Sequence, residues 1–175
     1  MNAILFLVET LLSLVFFVFL LRLLLQWVRA DFRNPVAEAV LRLTNWLILP
    51  LRRVLPPIGR VDTAAVLAVI LCAFVQEGAL HYLRLRGWPP PVDWAALAGL
   101  AILRAVLTTY LYAIFLYALV GMVAPGVRSP VQAILESLCE PVLRPIRRTI
   151  PGVAGLDLSP LWAGIAIMFL LYLIA

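Results

Sequence analysis

The chain has 175 residues, 65% of them hydrophobic, and its formal net charge is +5, with arginine as the only basic residue besides one histidine. A soluble domain is closer to half apolar, so this composition predicts an integral membrane protein. The arginines flank long apolar runs and no groove-reading module is present, so we expect anionic lipid headgroups, and not nucleic acid, to meet this charge. Two cysteines without a spacing pattern and a single histidine predict neither a disulfide nor a metal site.

Four apolar stretches, taken in chain order, are predicted to cross a hydrocarbon core of about 30 Å. The first runs from Ala3 to Trp27; it lacks a basic segment before it and a small-residue cleavage site after it, so we expect a retained helix and not a signal peptide. The others cover residues 63–83, 94–123 and 159–175. Arg22 lies near the end of the first stretch, where its side chain is expected to reach the interface.

Two amphipathic segments separate these stretches. In the first, Asn34 suits the N-cap and Pro35 the first helical position. Its apolar and polar faces, with flanking arginines, are typical of a helix lying in the membrane interface. We expect Pro50 to end that helix, so that the arginine pair at 52–53 falls in a proline-bracketed loop. The second amphipathic segment covers residues 130–142 and precedes a matching pair.

An internal duplication organises the whole chain. Residues 50–56 read Pro-Leu-Arg-Arg-Val-Leu-Pro, and 95 positions later residues 145–151 read Pro-Ile-Arg-Arg-Thr-Ile-Pro. The same offset places Asn34-Pro35 on Ser129-Pro130 and Asp62 on Asp157. A fixed offset kept over this length marks a tandem repeat. We predict a first repeat at 1–83, a connector at 84–93 and a second repeat at 94–175.

The predicted fold is therefore an all-α integral membrane protein. It has four transmembrane helices arranged as two parallel repeats, each with a short interfacial helix before its Arg-Arg loop. Ten arginines lie in the two long loops against two in the connector. The positive-inside rule then predicts long loops on the cytoplasmic side and both termini outside. Two spans per repeat predict a pseudo-two-fold axis along the membrane normal.

This pattern resembles the YggT family of small integral membrane proteins. In the first copy the resemblance is carried by Arg22, Trp27, Asn34-Pro35, Pro50–Arg53, Leu55-Pro56 and Asp62. In the second copy it is carried by Glu140–Arg148, Ile150-Pro151 and Gly155–Pro160. The copies differ: Asn45 stands where the second has Glu140, and Arg22 where the second has Tyr117. The two halves are therefore not expected to bind a ligand equally.

The resemblance implies a multi-pass protein of the bacterial inner membrane, associated with osmotic or envelope stress. We expect a non-catalytic protein that organises membrane or protein partners. A small ion or solute channel, and an assembly factor for a membrane cytochrome, are the alternatives. The sequence contains no recognisable catalytic set, and we predict no cofactor. His81 as a haem ligand would suit the cytochrome alternative, although a lone histidine at a helix end is more often an interfacial residue. The partner's identity and the oligomeric state, including a homo-oligomer, stay open.

Besides Arg22, three charges fall inside the apolar stretches. Glu9 and Arg104 are repeat-mates, so the pseudo-two-fold would place them at equal depth with opposite sign. Because an unpaired charge in a membrane costs a few kcal/mol, we expect an ion pair between them; independent snorkelling is the alternative. Glu77 is a candidate intramembrane polar site that could compete for Arg104.

The arginine pairs are the main candidate binding sites. A guanidinium binds phosphate through two parallel hydrogen bonds, and a basic residue near an anionic surface contributes about 1 kcal/mol. The expected partners are anionic headgroups or an unidentified cytoplasmic or membrane protein. Asp62 and Asp157 are predicted to cap the helices that follow. The binding candidates are Arg52, Arg53, Arg144, Arg147 and Arg148.

Overall fold

The computed structural model describes residues 3–57, 62–123, 129–149 and 157–174. The described residues form six helices and no strand. The helices are α1 (Ala3–Trp27), α2 (Pro35–Val54), α3 (Thr63–Leu85), α4 (Pro91–Val123), α5 (Pro130–Thr149) and α6 (Ser159–Leu173).

Three helices, α1, α3 and α4, are long and apolar enough to cross a bilayer. Their length and apolar character indicate a membrane protein, as the composition of the chain predicts. Helix α6 is equally apolar but has 15 residues, which is shorter than the ~20 that a typical span needs. The third predicted span begins earlier than expected, because α4 already starts at Pro91 in the predicted connector.

The ends of the helices follow local capping chemistry. The Asn34 side-chain oxygen accepts a hydrogen bond from the backbone N–H of Val36 at 2.9 Å, which confirms Asn34 as the cap of α2. Its repeat-mate Ser129 accepts one from the N–H of Gln132 at 3.1 Å. Helix α3 ends where Arg86 adopts a left-handed conformation, with φ of 59°, and donates its N–H to the carbonyl of Tyr82.

The expected helix stop at Pro50 is wrong. Helix α2 continues through Pro50 to Val54, and α5 continues through Pro141 and Pro145 to Thr149. A proline removes one N–H donor, but later residues can resume the bonding, as the N–H of Leu55 does to the carbonyl of Leu51 at 2.8 Å. Both arginine pairs therefore lie in the last turn of a helix and not in a loop.

The chain separates into two compact units: Met1–Leu23 with Ala39–Ala105, and Leu24–Glu38 with Val106–Ala175. The buried side chains of unit 1 include small ones of α3 and the larger Phe19 and Leu20 of α1. Unit 2 has a core formed by α4, α5 and α6, including Ile114, Leu143 and Ile167. These units group residues that are close in space, whereas the repeats are defined by sequence offset, so the predicted repeat boundaries stay a prediction.

Candidate functional site

The first arginine of the first pair joins the end of α2 to the start of α3. Arg52 donates hydrogen bonds from Nε, at 3.0 Å, and from Nη2 to the Oδ2 atom of Asp62. The Asp62 side chain is 1% exposed and that of Arg52 is 40% exposed. Asp62 does occupy the N-cap position of α3, but its side chain makes no capping hydrogen bond there. Its carboxylate binds Arg52 instead, so the aspartate connects two helices.

The second repeat forms the same pair within unit 2. Arg147 Nε donates to Asp157 Oδ2 at 2.8 Å. Asp157 also accepts, on Oδ1, the backbone N–H of Ser159 at 2.9 Å, so it supports the start of α6 as the sequence predicts. The side chains of Arg147 and Asp157 are 32% and 44% exposed, so this pair is more open to solvent than its counterpart.

Arg147 has two further partners. Its Nη1 atom donates to Glu140 Oε2 at 2.9 Å, and its Nη2 atom lies 3.4 Å from the Tyr117 hydroxyl. The guanidinium carbon lies 6.0 Å from the centre of the Tyr117 ring. With Asp157 these contacts use all three guanidinium nitrogens. Arg147 therefore fixes the last turn of α5 to both neighbouring helices of unit 2.

Arg22 occupies in unit 1 the repeat position of Tyr117, and its side chain is bonded within the protein. It is 2% exposed. Its Nη1 atom donates to Thr44 Oγ1 at 2.7 Å and to Asn45 Oδ1 at 2.8 Å. Acceptors on α2 hold the side chain inside the protein, and one of them, Thr44, is fully buried. Arg22 also interacts electrostatically with Arg52 and Asp62.

The residues at four matching repeat positions thus lie together in each unit, but their charges differ between the two units. The pairs of positions are 22 and 117, 45 and 140, 52 and 147, and 62 and 157. Unit 1 places a second arginine and a neutral Asn45 beside its Arg–Asp pair, whereas unit 2 places a tyrosine and a carboxylate there. Sequence comparison of the copies shows these substitutions, but only the structure shows that they surround one ion pair.

The other arginine of each pair is exposed. Among the described residues, Arg53 and Arg148 have no hydrogen-bond or ion-pair partner, and both are exposed. Arg144 is 67% exposed and lies 3.8 Å from Glu140, which it meets one helical turn away. Arg52 and Arg147 therefore pair with aspartates that precede the next helix. Arg144 pairs with Glu140 of its own helix, whereas Arg53 and Arg148 are exposed.

The ion pairs shift the pKa values of the side chains that form them. Burial raises the pKa of Asp62, but the hydrogen bonds and charge of Arg52 outweigh it and leave this pKa below its usual 3.8. The pKa of Asp157 is also lowered: burial opposes the shift, and hydrogen bonds from Ser159 and Arg147 prevail. Although burial lowers the pKa of Arg147, hydrogen bonds to Asp157 and Tyr117 raise it further above its usual range. Both pairs are therefore fully charged at neutral pH.

The intramembrane charges lie in unit 1. Glu9 accepts a hydrogen bond from Arg84 at 3.0 Å, with side-chain exposures of 36% and 53%. Glu77 interacts electrostatically with Arg84, Arg104 and Glu9, so these four charges lie near one another. Arg84 was not among the candidate residues; it lies two turns beyond Glu77 on the same helix, which could have indicated it. The pair between Glu9 and Arg104 stays a prediction.

Side chains able to ligate a metal are scattered over the described part of the chain. No group of three or more metal-ligating side chains occurs among those residues. The Nδ1 atom of His81 lies 2.9 Å from the carbonyl oxygen of Gly87, at the end of α3. This contact ties the histidine to the segment that follows α3.

A family model described as CCB3/YggT matches residues 1–83 and 96–175. The chain is 36% identical to "Uncharacterized protein YggT" of Escherichia coli over 179 residues, covering 99% of this chain and 88% of that protein. It is 34% identical to an uncharacterized protein of Vibrio alginolyticus, covering 97% and 91% of the two chains. A protein of Pseudomonas aeruginosa is 33% identical, with coverage of 95% and 85%. No solved structure matches the chain.

Proposed function

Because the chain belongs to the CCB3/YggT family, whose matched relatives carry no assigned activity, we propose a function from its own geometry. The protein organises partners at the membrane surface without catalysing a reaction. Its two amphipathic helices present exposed arginines, and these bind an acidic surface of a protein or anionic lipid headgroups. The Arg–Asp pairs hold those helix ends in place.

The observation that supports this proposal is that the two arginines of each pair have different surroundings. Arg52 and Arg147 are engaged by Asp62 and Asp157, while the adjacent Arg53 and Arg148 are exposed. The positive-inside rule alone would be satisfied by arginines at any position on the cytoplasmic side. A helix end fixed by one arginine restricts where the next one points, which reduces the entropy lost when it binds.

The proposal includes a membrane arrangement. Helix α6 serves as the fourth span, and the two repeats are parallel. The ends of α2 and α5 that carry the arginines lie on the cytoplasmic side of the bacterial inner membrane, with both termini outside. The arginine excess on that side supports this orientation.

The test is complementation in cells that lack the protein. Following the stress association that the family resemblance implies, growth after a hyperosmotic shift is the readout. The double variant Arg53→Ala with Arg148→Ala should behave like the deletion, while its membrane level stays normal. Arg33→Ala is the matched control, because Arg33 is an exposed arginine outside the repeated pair. Full complementation by the double variant would contradict the proposal.

An ion or solute path is the second candidate, supported by polar groups on α1 and α3. Gln76 Nε2 lies 3.4 Å from the Ser13 hydroxyl, and Glu9 meets Arg84 toward the ends of the same helices. Intramembrane polar residues often mark such paths. Purified protein in liposomes should then pass cations or protons, with a flux that Glu77→Gln alters. A cation and proton flux equal to that of protein-free liposomes would contradict an ion or solute path.

A further inference from the structure

A buried guanidinium in unit 1 has too few acceptors around it. The side chain of Arg22 makes its hydrogen bonds from Nη1 alone, to oxygens of α2. Its Nε atom is buried and has no acceptor among the described residues, and Nη2 donates to none of them either. The Nε and Nη2 atoms form an edge of the guanidinium that binds two oxygens of one phosphate or carboxylate. In Arg22 this edge is unused.

The charges around Arg22 do not balance. The side chains that accept its hydrogen bonds, Thr44 and Asn45, are neutral. The charged groups that act on it are Arg52 and Asp62, and Arg52 already donates twice to that carboxylate. Two guanidiniums thus share one carboxylate, which leaves this centre of unit 1 with a net charge of +1 among the described residues. A buried charge is costly unless an opposite charge pairs with it.

The second repeat shows which group fills the corresponding place. Glu140 stands at the position of Asn45, and its carboxylate accepts a hydrogen bond at 2.9 Å from Arg147, the repeat-mate of Arg52. These two positions are seven residues apart and lie on nearly the same face of the helix, so their side chains can meet. Unit 1 keeps the spacing but has an amide where unit 2 has a carboxylate. An anionic oxygen is therefore missing from unit 1.

We propose that unit 1 binds the phosphate group of an anionic lipid headgroup, whose oxygens take the place that the Glu140 carboxylate has in unit 2. They accept hydrogen bonds from the Nε–Nη2 edge of Arg22 and from the Nη1 atom of Arg52. That Nη1 atom has no partner among the described residues, because Arg52 binds Asp62 through Nε and Nη2. Arg52 is exposed and Asn45 is half-buried, so the headgroup approaches past these two side chains.

The place of this centre along the chain favours a lipid as the source of the phosphate. Arg22 lies five residues before the end of α1, which is about 7.5 Å at 1.5 Å per residue. Since α1 is a candidate membrane span, this depth is close to the headgroups. Trp46, next to Asn45, is exposed, and exposed tryptophans are typical of the same level. A singly anionic headgroup balances the net charge, whereas phosphatidylethanolamine brings an ammonium that cancels the charge of its own phosphate.

The experiment is native mass spectrometry of the purified, delipidated protein in detergent. It is titrated with palmitoyl-oleoyl phosphatidylglycerol or with the phosphatidylethanolamine that has the same chains. The first phosphatidylglycerol should bind about tenfold more tightly, as expected for charge-assisted hydrogen bonds to an anion that nothing else neutralises. Equal affinity of the two lipids would overturn the proposal. Displacement of phosphatidylglycerol by an equal concentration of inorganic phosphate would also overturn it, because the ligand would then be a soluble anion.

One substitution gives unit 1 the residue of unit 2. Asn45→Glu supplies the missing carboxylate and keeps an acceptor for Arg22, so it should weaken the binding of phosphatidylglycerol by about tenfold without unfolding the protein. Ala39→Glu is the matched control, because it adds the same charge at an exposed position on another face of α2; it should change the affinity by less than about threefold. Equal effects of the two variants would contradict the site. If Asn45→Glu does not fold, Asn45→Asp, which keeps the shape of the side chain, takes its place with the same expected loss.

A last variant separates this site from the proposed function, which depends on Arg53 and Arg148. The double variant Arg53→Ala with Arg148→Ala should keep the preference for phosphatidylglycerol, because neither residue belongs to the centre around Arg22. Loss of the preference in this double variant, together with full binding by Asn45→Glu, would show that the headgroup binds the exposed arginines. The inference would then be wrong while the proposed function stands.

Discussion

Removing Arg52 should destabilise the protein far more than removing its neighbour Arg53. In Arg52→Ala the Asp62 carboxylate, 1% exposed, loses the guanidinium that donates to it twice. Its other oxygen already has no partner among the described residues. Breaking a fully buried ion pair costs about 3–5 kcal/mol. Arg52 is 40% exposed and Arg22 still acts on Asp62, so we expect about 2–3 kcal/mol after allowing for solvent screening.

The free energy of unfolding in bicelles, measured by steric trapping, tests this value. Arg53→Ala is the matched control and should change stability by about 0.5 kcal/mol or less, because an exposed side chain without structural partners contributes little. In a double variant, Asp62→Asn should recover part of the loss caused by Arg52→Ala, since it removes the uncompensated charge. Equal destabilisation by Arg52→Ala and Arg53→Ala would refute the division of each arginine pair into a structural and an exposed member.

The Arg52–Asp62 pair also predicts the direction in which the free energy of unfolding changes with pH. The folded-state pKa of Asp62 lies below its usual 3.8. The stability from this pair is therefore fully present above pH values near 3.8 and is lost as pH falls through the lower folded pKa. In Arg52→Ala, burial still raises the pKa of Asp62 while the opposing guanidinium is gone. The acid-induced loss of unfolding free energy should accordingly be smaller in the variant than in the wild type.

Three further outcomes test the packing. Gly78→Ala should lower the free energy of unfolding by about 1–3 kcal/mol, because its Cβ would lie 2.3 Å from the Trp94 ring. The control Gly99→Ala should be neutral or slightly stabilising, since a Cβ there has open space. Thermal unfolding in detergent compares the two variants. Asn34→Ala should cost about 1 kcal/mol or more in the same assay, since it removes the cap of α2 and a hydrogen bond to the start of α5. The Cys139 thiol is buried and its pKa is raised to about 12 by that burial, so iodoacetamide at pH 8 should modify it only after denaturation, as mass spectrometry would show.

Much of the architecture could be predicted because it depends on local chemistry. The apolar stretches locate α1, α3 and α4 to within a few residues, and the Asn34-Pro35 dipeptide marks the start of α2. The fixed offset of 95 identified all four members of the two Arg–Asp pairs. Their pairing could have been predicted as well, because each aspartate follows its arginine by ten positions in both copies.

The remaining features depend on contacts that the sequence does not display. A proline near a helix end stops the helix only if later residues find no bonding partners, and after Pro50 they do find them. The burial of Arg22 depends on Thr44 and Asn45 facing it from α2. Glu9 is bonded to Arg84 near the end of α3, a contact that the repeat offset does not indicate.

The most direct test of the account is photo-crosslinking from position 149 in native membranes. Thr149 is exposed and adjacent to Arg148, so a photoreactive side chain there samples whatever that arginine binds. The account predicts one dominant adduct, protein or anionic lipid, whose yield falls severalfold in Arg148→Ala while the protein stays folded. Mass spectrometry of the adduct then distinguishes a protein partner from a headgroup. An adduct pattern unchanged by Arg148→Ala would contradict the assignment of the exposed arginines as the binding residues.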